Sequence, residues 1–185
     1  IGGANQLTEE IASKLGSIAV VTTAADVNKT IAVDLLGKEL GWKIDDDSTV
    51  TKVSAFMVNE EKIGVFQDAG NKDWWNKKLP INVMIYSSIE ELKNSQSKGF
   101  LIITDKEVED PEILENSVVY RPPTLVVGVG LHGDTTKETI REGLNFCLKK
   151  YKLNAKSVAK LVSIKKKQDV QGLIDLGKEM NVPIQ

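Results

Sequence analysis

Thr22-Thr23-Ala24-Ala25-Asp26 closes a short apolar run, Ile18 to Val21, in a chain that opens Ile1-Gly2-Gly3-Ala4-Asn5. Polar residues at the carboxyl end of a strand are where open α/β sheets collect ligands. Thr22 and Thr23 offer hydroxyl donors, and Asp26 offers a carboxylate. Gly2 and Gly3 can turn backbone N–H groups towards an anion, because glycine tolerates φ > 0. Asp34 adds a second carboxylate further along. Donors around one base form a minimal set for adding water to an acyl carbon. The donors hold the developing oxyanion, and the carboxylate takes the proton from water. A plainer role is also open to these residues, in which Asn5, Thr22, Thr23 and Asp26 cap helices and close a turn.

A second candidate is Gly128-Val129-Gly130-Leu131-His132-Gly133. It is a literal G-x-G-x-x-G that should follow a strand and open a helix, the context of a dinucleotide fingerprint. The acidic ribose partner expected about 20 residues on is replaced by Lys149, Lys150, Tyr151 and Lys152. Lys165-Lys166-Lys167 could meet a 2′-phosphate at best. His132 is the single histidine, suited to base, ligand or carboxylate-donor work. A metal site would need companions, and the sequence shows no Cys/His cluster. Cys147 falls on the apolar side of a predicted helix, which reads as core.

Trp74-Trp75 stands among lysines, and two adjacent indoles cannot both face one core. One should pack inside, and the other should meet a domain interface or a macrocycle face. The lysines from Lys149 to Lys167 could attract carboxylates, although a solvated face is the commoner meaning of such a run.

A net charge of −2 and a pI of about 5.6 give no footprint for nucleic acid, which favours a basic domain. One cysteine permits no internal disulfide, as suits a reducing cytosol. No run approaches the ~18 apolar residues that cross a membrane, and no secretory signal is expected. The expected setting is cytoplasmic, with no nucleic-acid or membrane partner.

The elements that would position these groups alternate between helix and strand. A helix with stripe Leu7, Ile11 and Leu15 should stop at Gly16, and the strand Ile18 to Val21 follows. A second helix should bury Ala32, Leu35, Leu36 and Leu40 and end at Gly41. Asp45-Asp46-Asp47-Ser48 reads as a polar break. Alternation from Val53 to Val58, the turn at Asn59, and Ile63 to Phe66 predict a β-hairpin. Strands are expected at Asn82 to Tyr86 and Phe100 to Thr104, with a short helix between them. Thr124 to Val129 should be a strand buried on both faces. A long helix with Ile140, Leu144, Cys147, Leu148 and Tyr151 along one side should follow the glycine loop. A strand at Leu161 to Ile164 and a helix from about Asp169 to Met180 complete an α/β chain.

These motifs resemble the CbiG family of cobalamin biosynthesis proteins. The resemblance rests on GGAN, a helix, an apolar strand and TTA-x-D-x-N, and continues into the GVG-x-x-G segment. It implies an α/β fold with two α/β sandwich-like units joined by a small α+β middle unit. Residues 1–50 would be the remainder of an N-terminal domain, 51–119 the middle domain and 120–185 a truncated C-terminal domain. The chain would then be a piece of a longer protein, and an exposed sheet edge would invite a homodimer. The implied activity is hydrolytic opening of the δ-lactone of cobalt-precorrin-5A, with release of acetaldehyde to give cobalt-precorrin-5B. Cobalt would arrive within the corrinoid substrate, so no separate cofactor or protein metal site is expected. Catalysis would fall to Asp26, Thr22 and Thr23. Substrate binding would fall to Gly2, Gly3, Asn5, Asp34, Gly128, Gly130, His132 and Gly133. In the glycine loop, backbone N–H groups and a helix N-terminus could grip a substrate carboxylate. Departures from the family pattern are Ala25 for Thr, Leu131-His132 for a Cys-basic pair, and Val170 for Glu. A corrinoid carrier like the related CobE, without hydrolysis, is the alternative. An unrelated nucleotide-binding α/β enzyme is a further one.

Overall fold

The protein is described by a computed structural model covering residues 4–20, 30–75, 78–164 and 170–185, with side chains from Leu7 onwards. Helix α1, Ala4–Leu15, ends at Gly16, whose φ of 63° stops it. Of the expected stripe, Leu7, Ile11 and Leu15 are all exposed, and it is Ala12 that is buried. Residues 17–20 form no strand. Ser17 bonds back to the Ala12 carbonyl, and among the described residues 17–20 join no strand ladder; Val21, the end of the predicted strand, lies outside the described residues.

The main sheet has the order β1-β5-β4-β2-β3. Its strands are β1 (Lys43–Ile44), β2 (Ile63–Gln67), β3 (Val83–Tyr86), β4 (Gly99–Ile103) and β5 (Ser117–Arg121). The last four run parallel, and β1 pairs antiparallel with β5. Parallel strands need covered faces, and the sheet is covered on both. Val65, Leu101, Ile103, Val118 and Tyr120 form one core with Val53 and Met57 of helix α2 (Val50–Val58). The alternate residues Phe66, Phe100, Ile102 and Val119 form another. There they meet Leu92 of α3 (Ile89–Lys93) and Ile113 of α4 (Pro111–Leu114). Ser88 and Asp110 cap these two short helices through their side-chain oxygens.

The expected hairpin at 53–66 is therefore corrected to a helix followed by β2. Residues 53–58 are nearly all apolar, so period-2 contrast was absent. Val53 and Met57, four apart, mark the buried helical face instead. The expected helix before Gly41 is corrected too. Its place is taken by turns and a short 3₁₀ segment, Lys38–Leu40. Gly37 sits at φ 71°, and a Cβ there would stand 2.1 Å from the Trp42 ring.

The remaining chain builds a smaller parallel pair, β6 (Leu125–Gly128) and β7 (Val158–Val162). Ile184 bridges to Leu161 in parallel. Helices α5 (Lys137–Tyr151) and α6 (Gln171–Met180) pack together beside the strands. Ile140, Val158, Leu161, Leu173 and Leu176 form their core. β6 is not buried on both faces as expected, for Val126 is 55% exposed. Cys147 is exposed rather than core. The buried row of α5 is Ile140, Leu144 and Leu148 at strict i+4 spacing, which leaves Cys147 on its flank.

Candidate functional site

Gly2, Gly3, Thr22, Thr23 and Asp26 lie outside the described residues, and Asn5 is described only as part of the α1 backbone. Asp34 is described and exposed. It borders an open groove of about 530 Å³ with Lys38, Trp42, Asp45, Asp46 and Asp47. Ile31 and Val33 on either side are buried. The Tyr120 hydroxyl donates to the Val33 carbonyl at 2.7 Å, which ties this segment to the sheet. Burial, and after it the nearby Asp34 carboxylate, pushes the Tyr120 hydroxyl above its ordinary value. Tyr120 is thus a fixed donor and no acid or base at neutral pH.

The same segment borders a second groove, of about 540 Å³, which shares Leu36 and Lys38 with the first. Ala32 and Leu35 form one wall, and Trp74 and Trp75 the other. The two indoles are tilted by 49° with centroids 6.5 Å apart. Trp74 Nε1 donates to Gln67 Oε1 at 2.7 Å, and Trp75 Nε1 to the Lys78 carbonyl at 3.2 Å. Both pack partly against the main core. Both indoles therefore reach the core, contrary to the expectation that one would pack inside and the other would not. They do so without sharing a helix face, because they sit in an irregular segment.

The glycine loop has the predicted context: it follows β6 and precedes α5. Within it the His132 N–H donates to Thr135 Oγ1, and the Thr135 N–H to the His132 carbonyl. Thr136 caps α5 by accepting from the Thr139 N–H. His132 is exposed, as are Gly128, Gly130 and Gly133. A cleft of about 270 Å³ separates the loop from α5. Gly128, Gly130, Leu131, Thr139, Gly143 and Cys147 are among its lining. A Cβ at Gly130, Gly133 or Gly143 would meet no atom within 4 Å, and none of the three has positive φ. Neither backbone strain nor internal crowding demands glycine at these positions. Among the described residues, no group of histidine, cysteine or carboxylate side chains could hold a metal ion.

The structure brings Asp34 and the glycine loop to separate surfaces, and it adds a buried ionic centre that sequence reasoning missed. Arg121 is 1% exposed. Its Nε and Nη2 donate to Asp45 Oδ2 at 3.1 and 2.6 Å. Its Nη1 donates to the carbonyls of Thr104 and Lys106. Lys156, at the edge of the smaller unit, reaches Asp45 Oδ1 at 3.2 Å. The Asn154 N–H donates to the Asp105 carbonyl and the Glu107 N–H to the Lys152 carbonyl, each at 2.8 Å. The polar break at Asp45 also carries the tie between the two sheets. The signal was a lone arginine ending an apolar strand, Val118-Val119-Tyr120-Arg121, where an unpaired charge would be costly.

Residues 31–122 match the family described as cobalamin biosynthesis central region, and residues 125–185 the one described as cobalamin synthesis G C-terminus. A cobalt-precorrin-5A hydrolase of Priestia megaterium is 41% identical over 95% of this chain and 48% of its own length. The enzyme of that name from Salmonella typhimurium is 28% identical over 98% of this chain and 51% of its own. The chain thus spans about half the length of the curated relatives it matches. A crystal structure of a cobalamin biosynthesis protein G homolog from Sulfolobus solfataricus is 20% identical, with a TM-score of 0.33. It aligns with 99% of this chain and 49% of that one. No described helix is long and apolar enough to cross a membrane.

Proposed function

The chain belongs to the CbiG family of cobalamin biosynthesis proteins, and from that premise we propose that it works as part of a cobalt-precorrin-5A hydrolase. The observation that carries this reading is the 41% identity to an enzyme of that name, running through 95% of the chain. The substrate is then a cobalt corrinoid with carboxylate arms, and its δ-lactone is opened with loss of a two-carbon fragment as acetaldehyde. Cobalt comes with the substrate. The first step is acyl hydrolysis: water adds to the lactone carbonyl and the ring C–O bond breaks, leaving a carboxylate and a free alcohol, which asks for a base near water and donors near the carbonyl oxygen. Acetaldehyde then leaves as the alcohol gives up its proton, the C–C bond to the macrocycle breaks, and the macrocycle carbon keeps the electron pair and takes up a proton. Asp26 is the candidate base, with Thr22 and Thr23 as donors. The N–H groups of Gly2 and Gly3 are candidate anion holders. A carboxylate arm would meet the glycine loop at Gly128, Gly130 and Gly133, with His132 as an exposed donor. The reading implies a cytoplasmic enzyme that needs no membrane or nucleic-acid partner.

A second reading is favoured by the glycine-loop cleft. Its described lining is apolar apart from two threonines and Cys147, which suits holding a ligand more than hydrolysing one. Anaerobic incubation of the full-length protein with cobalt-precorrin-5A separates the two. Acetaldehyde and the mass of cobalt-precorrin-5B are expected. Tight binding with no acetaldehyde would make the protein a carrier.

A further inference from the structure

We infer that the groove between Leu35 and the Trp74-Trp75 pair is where the flat face of the corrinoid ring docks. The inference rests on the hydrolase reading above and adds a ring-binding surface to it.

Size separates the clefts first. Sites for small molecules usually enclose about 300–1,000 Å³. The glycine-loop cleft, about 270 Å³, suits an arm of the substrate and not its ring. Charge separates the others. The groove of about 530 Å³ beside Asp34 also carries Asp46, Asp47 and the ion-paired Asp45, against one lysine, Lys38, which it shares with the tryptophan groove. A hollow of about 680 Å³ near Tyr86 is bordered by Glu90 and Glu91. A polycarboxylate would be repelled by both. The tryptophan groove carries Glu39 and Asp73, but also Lys38 on its wall, and Lys72 and Lys78 are exposed beside the indoles. With two carboxylates against one lysine on its lining and two further lysines beside it, it is the least acidic of these three grooves, and it has aromatic and aliphatic walls.

The walls are also shaped for a flat apolar face. Both indole N–H groups are already bonded within the protein, so the rings have carbon surface to offer. Leu35 is 51% exposed on the opposite wall. That wall is fixed in place, since Gly37 lies against the Trp42 ring and Val33 is bonded to Tyr120. Preformed walls lose little freedom on binding.

The test uses the full-length protein, with cobyrinic acid as a stable carboxylated corrinoid and cobalt-precorrin-5A as substrate. Leu35→Asp and Lys38→Glu each change an exposed side chain, and thermal melting checks the fold. Both should weaken cobyrinic acid binding at least tenfold and raise KM for acetaldehyde release, with melting unchanged. Trp75→Phe keeps an aromatic wall and should weaken binding less than Leu35→Asp. Parent-like affinity and KM in folded Leu35→Asp and Lys38→Glu would overturn the ring site while leaving the hydrolase reading intact. A parent protein that neither binds cobyrinic acid nor releases acetaldehyde would overturn the hydrolase reading, and the ring site with it.

Discussion

Asp45 and Arg121 lie 76 residues apart in the chain and meet at 2.6 Å, with Arg121 almost wholly removed from solvent. Removing one partner of a buried pair leaves the other charge uncompensated, at a cost of about 3–5 kcal/mol. Asp45 keeps some exposure, so Asp45→Ala should fall near the lower end, about 3 kcal/mol in urea unfolding. Lys156 is 46% exposed in its side chain, and exposed pairs contribute at most about 1 kcal/mol. Lys156→Ala should therefore cost far less than Asp45→Ala. Equal losses would mean that Arg121 is not the partner that matters.

Two glycines should respond in opposite directions to alanine. Gly37→Ala forces a left-handed backbone on a Cβ that would strike Trp42 at 2.1 Å. The left-handed conformation alone costs about 1–2 kcal/mol, so the total should exceed it and the melting temperature should drop. Gly143 lies within α5 with open space around it. Gly143→Ala should raise stability by up to about 1 kcal/mol. A destabilised Gly143→Ala variant would show that the helix is crowded there.

Glu179 of α6 pairs with Lys137 and Arg141 of α5. Hydrogen bonds from Lys137 and then Arg141 hold its carboxyl below its ordinary value of 4.5. A carboxyl depressed in the folded state stabilises above its unfolded pKa, and that support is lost as pH falls through the folded value. Glu179→Gln should therefore be less stable than the parent at pH 7, and the gap should close on acidification from pH 4.5 downwards. Urea midpoints at pH 7 and at strongly acidic pH test this. A gap that stays constant would assign the effect to packing.

Asp26→Asn removes the candidate base and keeps its size. General-base catalysis contributes about 10²–10⁴-fold. Single-turnover release of acetaldehyde by the full-length variant should slow by that factor, with substrate affinity kept. An unchanged rate would remove Asp26 from the reaction.

Much of the scaffold was legible where local pattern and tertiary demand agree. β4 read as an apolar run because both its faces are buried, whereas β5, equally buried, went unassigned. The order of strand, glycine loop and long helix was legible, but the helix face was only partly so: Ile140, Leu144 and Leu148 are buried, while Cys147 and Tyr151 are exposed. Helix α2 was misread because nearly every residue is apolar, so that helix and strand periods could not be told apart. β1 escaped notice because two residues, Lys43 and Ile44, become a strand only through pairing with Arg121 and Tyr120. The ionic centre was hidden for the same reason: no local window contains Asp45, Arg121 and Lys156 together. The tryptophan pair was visible, but its irregular backbone was not.

The pairing of β1 with β5 sets an order on the making of this protein. Lys43 and Ile44 leave the ribosome well before their partners Arg121 and Tyr120. Until then Trp42 lacks the Tyr120 ring beside it, and the segment from Ile31 to Leu36 lacks its bond from Tyr120 to the Val33 carbonyl. The two groove walls at Leu35 and Asp34 are therefore assembled late, and a nascent chain halted before Tyr120 would carry those apolar residues uncovered, as prey for chaperones and proteases.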